Sequence, residues 1–196
     1  MKSDNCKTRC FVALLFLLFL MHFVACAPAI SNKIPVPRID DVNVGEVVNG
    51  NLSNGLAVEL FGDGREVAES NSEAEIVVVP EGSIDVRVKF ALERALQNKG
   101  FAVSSFAPKS ISGEVRNWSA VVKEGFVAEI SSEATIYIEL SDASNKRLFS
   151  GEYSGTSIIK RPGVNRTHVE QSLSKAMSEA MSQMFRDRKL MALLGS

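Results

Sequence analysis

Two histidines, His22 and His168, and three cysteines, Cys6, Cys10 and Cys26, bound the chemistry open to this chain. A thiolate nucleophile needs a histidine or another cation beside it, and a zinc site needs several His, Cys or carboxylate ligands. Cys6, Cys10 and His22 flank an apolar run near the N-terminus, so His168 is the one histidine in the body of the chain. A Ser-His-Asp triad would have to form around it. Serines are plentiful, but no G-x-S-x-G elbow exposes one. His168 also falls in the first turn of a predicted helix, where the dipole disfavours an imidazolium, and it reads as a surface residue beside a cap. Phe61-Gly62-Asp63-Gly64-Arg65 has the glycines of an anion loop but lacks the P-loop lysine and the spacing of a dinucleotide loop. A tight turn in which Asp63 bonds its own backbone explains it better. Asp40-Asp41, and Glu73 with Glu75, read as solvated surface. These residues predict no catalytic residue, no metal site and no cofactor, and the protein is read as a non-enzyme.

Cys26 belongs to a different chemistry. Lys2, Lys7 and Arg9 precede the apolar run Phe11–Met21, and small residues follow it. That order is a secretory signal, and the apolar stretch is short of the ~20 residues a spanning helix needs. Ordinary cleavage after Ala27 would place Pro28 just past the scissile bond, where its missing N–H and fixed φ disfavour an extended protease substrate. Phe23-Val24-Ala25-Cys26 resembles instead the lipobox of bacterial lipoproteins, with Phe23 and Val24 in place of its leucine and small residue. Residues 1–25 are then the signal peptide, and Cys26 is the lipidated first residue of the mature chain. Its acyl chains, palmitate among them, would hold the protein on a membrane, since several chains together bind far more firmly than one. By resemblance to enterobacterial sorting rules, Ala27 in place of aspartate implies the outer membrane, facing the periplasm. Removing Lys2, Lys7, Arg9 and Asp4 from 22 basic and 23 acidic residues leaves 19 and 22. This mild, mixed charge gives no basic face for nucleic acid. With its single thiol acylated, the mature chain has no disulfide and must rely on an apolar core.

The elements that position these groups follow from periodicity. Residues 26–55 are dense in Pro, Gly and Asn and read as a lipidated tether, either free or tied onto the domain, with an edge strand between Ile39 and Val48. Residues 56–196 form the single domain. Leu56–Phe61 and Glu75–Val79 read as strands. Ser83 caps a helix to Lys99 with Ile84, Val88, Ala91, Leu92, Ala95 and Leu96 on one face, and Gly100 stops it in the left-handed region. Phe101–Phe106, Gly113–Val122, Phe126–Leu140 and Leu148–Ile159 read as further strands, with hairpin turns at 123–125 and 142–146. Thr167 and Glu170, spaced as a capping box, open a last helix with Val169, Leu173, Ala176, Met177, Ala180, Met184 and Phe185 on its apolar stripe. Leu190–Leu194 is either its continuation or a short docking segment. The expected architecture is α+β, a two-layer sandwich with a largely antiparallel sheet and two main helices on one face.

Strict alternation puts Trp118 beside Glu114 and Arg116 on the wet face of its strand. That makes Trp118 either a partner anchor or a residue that covers the sheet edge or packs under the C-terminal tail. Lys160 and Arg161 form a small basic loop, facing headgroups or a partner or simply solvated.

This pattern resembles the YajG-like family of bacterial lipoproteins. The resemblance lies in the strand entering Asp63-Gly64-Arg65 and the helix from Asp85-Val86-Arg87 through Leu92 and Leu96 to Lys99-Gly100-Phe101. It continues in the strands through Val115, Ala134-Thr135-Ile136 and Tyr153, and in the final helix with Ser172, Ala176 and Met184. It spans roughly residues 56–190 and implies class and location, with no enzymatic activity. The expected function is a membrane-anchored, non-enzymatic binding or accessory module of the cell envelope, with an envelope protein as partner. The alternative is a small-ligand or lipid carrier, or transporter-auxiliary lipoprotein, using a groove between sheet and helices.

Overall fold

The computed structural model describes residues 31–39, 42–45, 55–65 and 75–196. Residues 1–25, where the sequence predicts a signal peptide, and Cys26 lie outside the described residues, as do Asp40, Asp41 and Glu73. Among the described residues, six strands and three helices follow in the order β1 (Lys33–Pro35), β2 (Leu56–Asp63), β3 (Glu75–Glu81), α1 (Ile84–Lys99), β4 (Lys109–Lys123), β5 (Ala128–Asp142), β6 (Arg147–Arg161), α2 (Arg166–Arg186) and α3 (Arg188–Gly195). The sheet is open and mixed, in the order β1-β3-β4-β5-β6. Three long antiparallel strands, β4, β5 and β6, make its body. Two strands share the remaining edge of β4: β2 runs parallel to its first half and β3 antiparallel to its end. The architecture is α+β, as the periodicity implies.

Alternation makes one face of the sheet apolar. On β5, Ile130, Ala134, Ile136, Ile138 and Leu140 are all buried and meet the helices. The stripe of α2 packs on them, and α1 covers the β2 side with the face its spacing predicts. Gly100 closes α1 at φ 103°, with its N–H on Gln97 O and the Phe101 N–H on Leu96 O. That paired arrangement needs a left-handed residue, which glycine adopts without a Cβ clash. Gly155 has a second reason: a Cβ there would run into the backbone of α2 at Ala176 and Ala180, so helix and strand approach closely only over glycine.

Four details depart from the sequence reading. First, 101–106 is no strand; Val103 makes a single bridge to Leu56 and the rest turns. Second, the N-cap of α2 is Asn165, whose side chain accepts from the His168 N–H, so Thr167 lies inside the first turn. Third, the C-terminal apolar stretch is a separate helix, α3, capped by Asp187 and docked through Leu190 and Leu194.

The fourth concerns the tether. Its edge strand lies at Lys33–Pro35, ahead of the predicted place, and pairs in parallel with β3. Ile34, Val36 and Ile39 are buried in the main core. Each such side chain contributes about 1.5–3 kcal/mol on burial. Both helices hold the segment further. Arg94 Nη2 donates to Ile39 O at 2.6 Å, Lys99 Nζ to Val44 O at 2.6 Å, and the Asn43 N–H donates to Ser182 Oγ at 2.9 Å. Residues 33–39 and 42–45 are therefore a strap over the domain.

Candidate functional site

Trp118 is the largest correction. Its indole is fully buried, and Nε1 donates to Leu173 O of α2 at 3.0 Å. The cause is a bulge in β4. Val115 pairs with Ile136 while Asn117 pairs with Thr135, so Arg116 is an extra residue. One inserted residue reverses which face every later side chain meets. Ile111 and Val115 point inward before the bulge, and Trp118, Ala120 and Val122 do so after it. Arg116 is pushed to the outer face, where it pairs with Glu152 and lies 4.4 Å from the Tyr137 ring. Trp118 is therefore a core residue rather than a surface anchor. A signal was present in the sequence: Val115 and Trp118 stand three apart, a spacing that unbroken alternation cannot bury on one face.

Lys160 and Arg161 are exposed at the end of β6. Lys160 pairs with Glu129 on β5 at 2.7 Å, which holds that carboxylate below its ordinary range. Arg161 faces Ala128 across the ladder. The β4–β5 turn beside them carries Phe126 and Val127, which are 98% and 53% exposed. Reading Phe126 as the start of a strand hid it, because alternation alone does not say where a hairpin tip leaves the sheet.

His168 sits in the first turn of α2, half-buried, with Nδ1 buried and without a hydrogen-bond partner. One turn on, Ser172 accepts from Ser132 Oγ at 2.8 Å and donates to Ser157 O at 3.4 Å. These bonds cross-link α2 to the sheet. Asp63 behaves as the turn reading requires. It accepts from the Arg65 guanidinium at 2.8 and 3.0 Å, which holds its carboxyl low, while Arg65 Nη1 reaches Pro80 O at 2.8 Å and ties β2 to β3. Among the described residues, no three His, Cys, Asp or Glu side chains group as metal ligands. No described helix is long and apolar enough to cross a membrane.

The concavity worth attention lies between the strap and the outward side of α2. It is a groove of about 550 Å³, with Pro37, Arg38 and Asn43 on one wall. Ser174, Ser178 and Ser182 line the helix wall at four-residue steps, with Gln171, Lys175 and Glu179 beside them. Hydroxyls, an amide and charges of both signs line it together with the carbon stems of the same side chains, so it offers a peptide segment both hydrogen bonds and apolar contact. The space between sheet and helices is filled: Trp118, Leu173, Met177 and Met181 meet there, all fully buried.

A mixed sheet with both long helices on one face, strapped by its own N-terminal segment, defines an α+β domain. The chain belongs to the YajG-like family of bacterial lipoproteins, whose model, described as "Uncharacterized lipoprotein", matches residues 64–194. That membership fits a cell-envelope location. No curated protein matches the chain in sequence. Among solved structures it is similar to a Xanthomonas campestris protein of the DUF330 family, at 11% identity and TM-score 0.50, covering 83% of this chain and 90% of that one. It is also similar to a minor lipoprotein of Acinetobacter baumannii, at 11% identity and TM-score 0.43, covering 71% and 92%. The first likeness shows a shared fold. Neither relative is described by a reaction.

Proposed function

We propose that this lipoprotein is an accessory module of the envelope that binds a protein partner, anchored through acyl chains on Cys26 after removal of residues 1–25. The outer membrane, facing the periplasm, is the proposed address, on the strength of Ala27. The observation that carries the binding role is the groove between strap and α2, with Lys175 and the serine row on its floor. The alternative, a lipid or small-ligand carrier, needs apolar space between sheet and helices, and side chains occupy that space. A photo-crosslinking residue at Lys175 in the full-length protein tests the reading in cells. With the crosslinking residue also placed at Gln171, on the same groove wall, the expected result is one discrete crosslinked envelope protein, lost from the Gln171 probe on Lys175→Glu and absent when the probe stands at Glu152 on the outer sheet face. Equal labelling from the groove and from Glu152, or crosslinked lipid alone, overturns it. Cys26→Ser should abolish palmitate labelling; retained label refutes the anchor.

A further inference from the structure

Strand direction says where a lipid anchor would sit relative to the fold. β1 runs parallel to β3, with Lys33 opposite Val79, and β3 runs antiparallel to β4, with Glu75 opposite Lys123. Followed backwards from Lys33, the chain heads toward the end of β4 that carries the β4–β5 turn. Two residues earlier, Ser31 lies level with the stretch of β3 that pairs with Val121, only two residues from that end. Five residue steps separate Ser31 from Cys26. Fully extended they span about 18 Å, whereas a wholly free segment from Cys26 to Gly55 could reach roughly 100 Å. The strap removes that freedom, so the anchor lies close to one end of the sheet.

At that same end Phe126 is almost wholly exposed and Val127 half exposed, and Ile158 on the adjoining part of β6 is 61% exposed. Charge does not explain the patch. Lys123 pairs with Glu75 at 2.9 Å, Lys160 with Glu129 at 2.7 Å and Arg166 with Glu170 at 2.6 Å. Glu124 in the turn and Arg161 opposite Ala128 are exposed and of opposite sign, so the rim is close to neutral overall, and a near-neutral rim around an aromatic tip suits shallow burial at the headgroup–acyl boundary. We infer that the β4–β5 turn, with Phe126 at its tip, inserts into the surface of the bilayer that anchors Cys26. The domain then stands with the long strands of the sheet rising from the membrane, and Phe106, 95% exposed in the loop before β4, at the far end. This rests on the reading of Cys26 as the lipid carrier.

The test uses the full-length lipidated protein in phosphatidylethanolamine–phosphatidylglycerol vesicles containing brominated lipid, which quenches tryptophan on contact. Phe126→Trp and Phe106→Trp are compared against the native protein, whose Trp118 is buried in the core. Both substituted positions are solvent-exposed, so the fold tolerates either change. A loss of emission several-fold larger at position 126 than at 106, insensitive to 0.5 M salt at roughly one-third the Debye length of 0.05 M, is the expected result. Equal quenching at both positions, or none at 126 while the protein floats with vesicles, overturns the inference and leaves the anchor standing. Absence of acyl chains on Cys26 by mass spectrometry overturns both. Mutual quenching-independent dimerisation through Phe126, seen as a concentration-dependent mass lost in Phe126→Ser, would assign the patch to a second copy instead.

Discussion

The two ends of the β4–β5–β6 ladder are finished in different ways. At the β5–β6 turn the polar groups are answered from within, while Phe106 in the loop before β4 stands exposed at the same end. Asp142 accepts from the Ser144 and Lys146 N–H groups, and Lys109 Nζ donates to Leu193 O and Ser196 O at 2.7 Å. On the same side Asp187 caps α3 and accepts the Tyr153 hydroxyl at 2.8 Å. The β4–β5 end leaves Phe126 and Val127 in solvent. The same strands thus end once in a network of internal hydrogen bonds beside a single exposed ring, Phe106, and once in Phe126 and Val127 together, with Ile158 on the adjoining strand. A grouping of exposed apolar side chains, rather than a lone one, is the argument for an external contact at the β4–β5 end.

Trp118 lies between the ends and serves both, so its loss should erase the contrast. Trp118→Ala removes a fully buried indole and its bond to Leu173, with an expected cost of about 3–5 kcal/mol. Denaturant melts should show it, and amide exchange should rise at both turns alike. An increase at only one turn would mean that the core is not shared.

Asp187→Ala strikes the closed end alone. It deletes the α3 cap and the Tyr153 partner, at a cost of about 1–2 kcal/mol. Faster exchange should appear across residues 189–194 and stay unchanged at 126–128. Uniform loss of protection would contradict the division.

The same pair predicts a pH window. Burial opposes ionisation of Asp187, but the Tyr153 hydroxyl and the Leu190 and Lys189 N–H groups outweigh it and hold the carboxyl below its ordinary value of 3.8. Its stabilisation is complete above that value and fades as pH falls through the lower folded one. Tyr153 is pushed the other way, by burial first and then by Asp187, above its ordinary 10.0. That stabilisation is complete below pH 10.0 and fades as pH rises toward the folded value. Docking of α3, followed by exchange or a probe on Ala192, should loosen at both extremes. Tyr153→Phe should remove the alkaline limb, and persistence of that limb would assign it elsewhere.

The smallest effect on stability belongs to the open end. Phe126→Ser should lie within about 0.5 kcal/mol of the native protein, because the ring touches little of the fold. A melting shift comparable to that of Asp187→Ala would show that the ring packs inside after all.

Local signals were readable where they were strong. The face of α1, the glycine that ends it and the three long strands follow from periodicity and turn chemistry, because those depend on neighbours in the chain. Trp118 was misplaced because one bulged residue, Arg116, reversed the alternation beyond it. Pro, Gly and Asn mark irregular backbone whether or not it is packed, so the sequence leaves open whether the tether is free or tied onto the domain. What ties it down, Arg94, Lys99 and Ser182, lies 55 to 139 residues away. The groove is likewise a product of strap meeting helix and has no counterpart in any one segment.

By itself the sequence determined family and class: the core pattern of an α+β domain of the lipoprotein family. Tertiary structure decided which face Trp118 takes, that the N-terminal segment is bound, and that Phe126 stands beside the chain's exit toward Cys26. The physical reason is range. Side-chain period and turn type are set within a few residues, whereas burial and the meeting of distant segments exist only once the chain has packed.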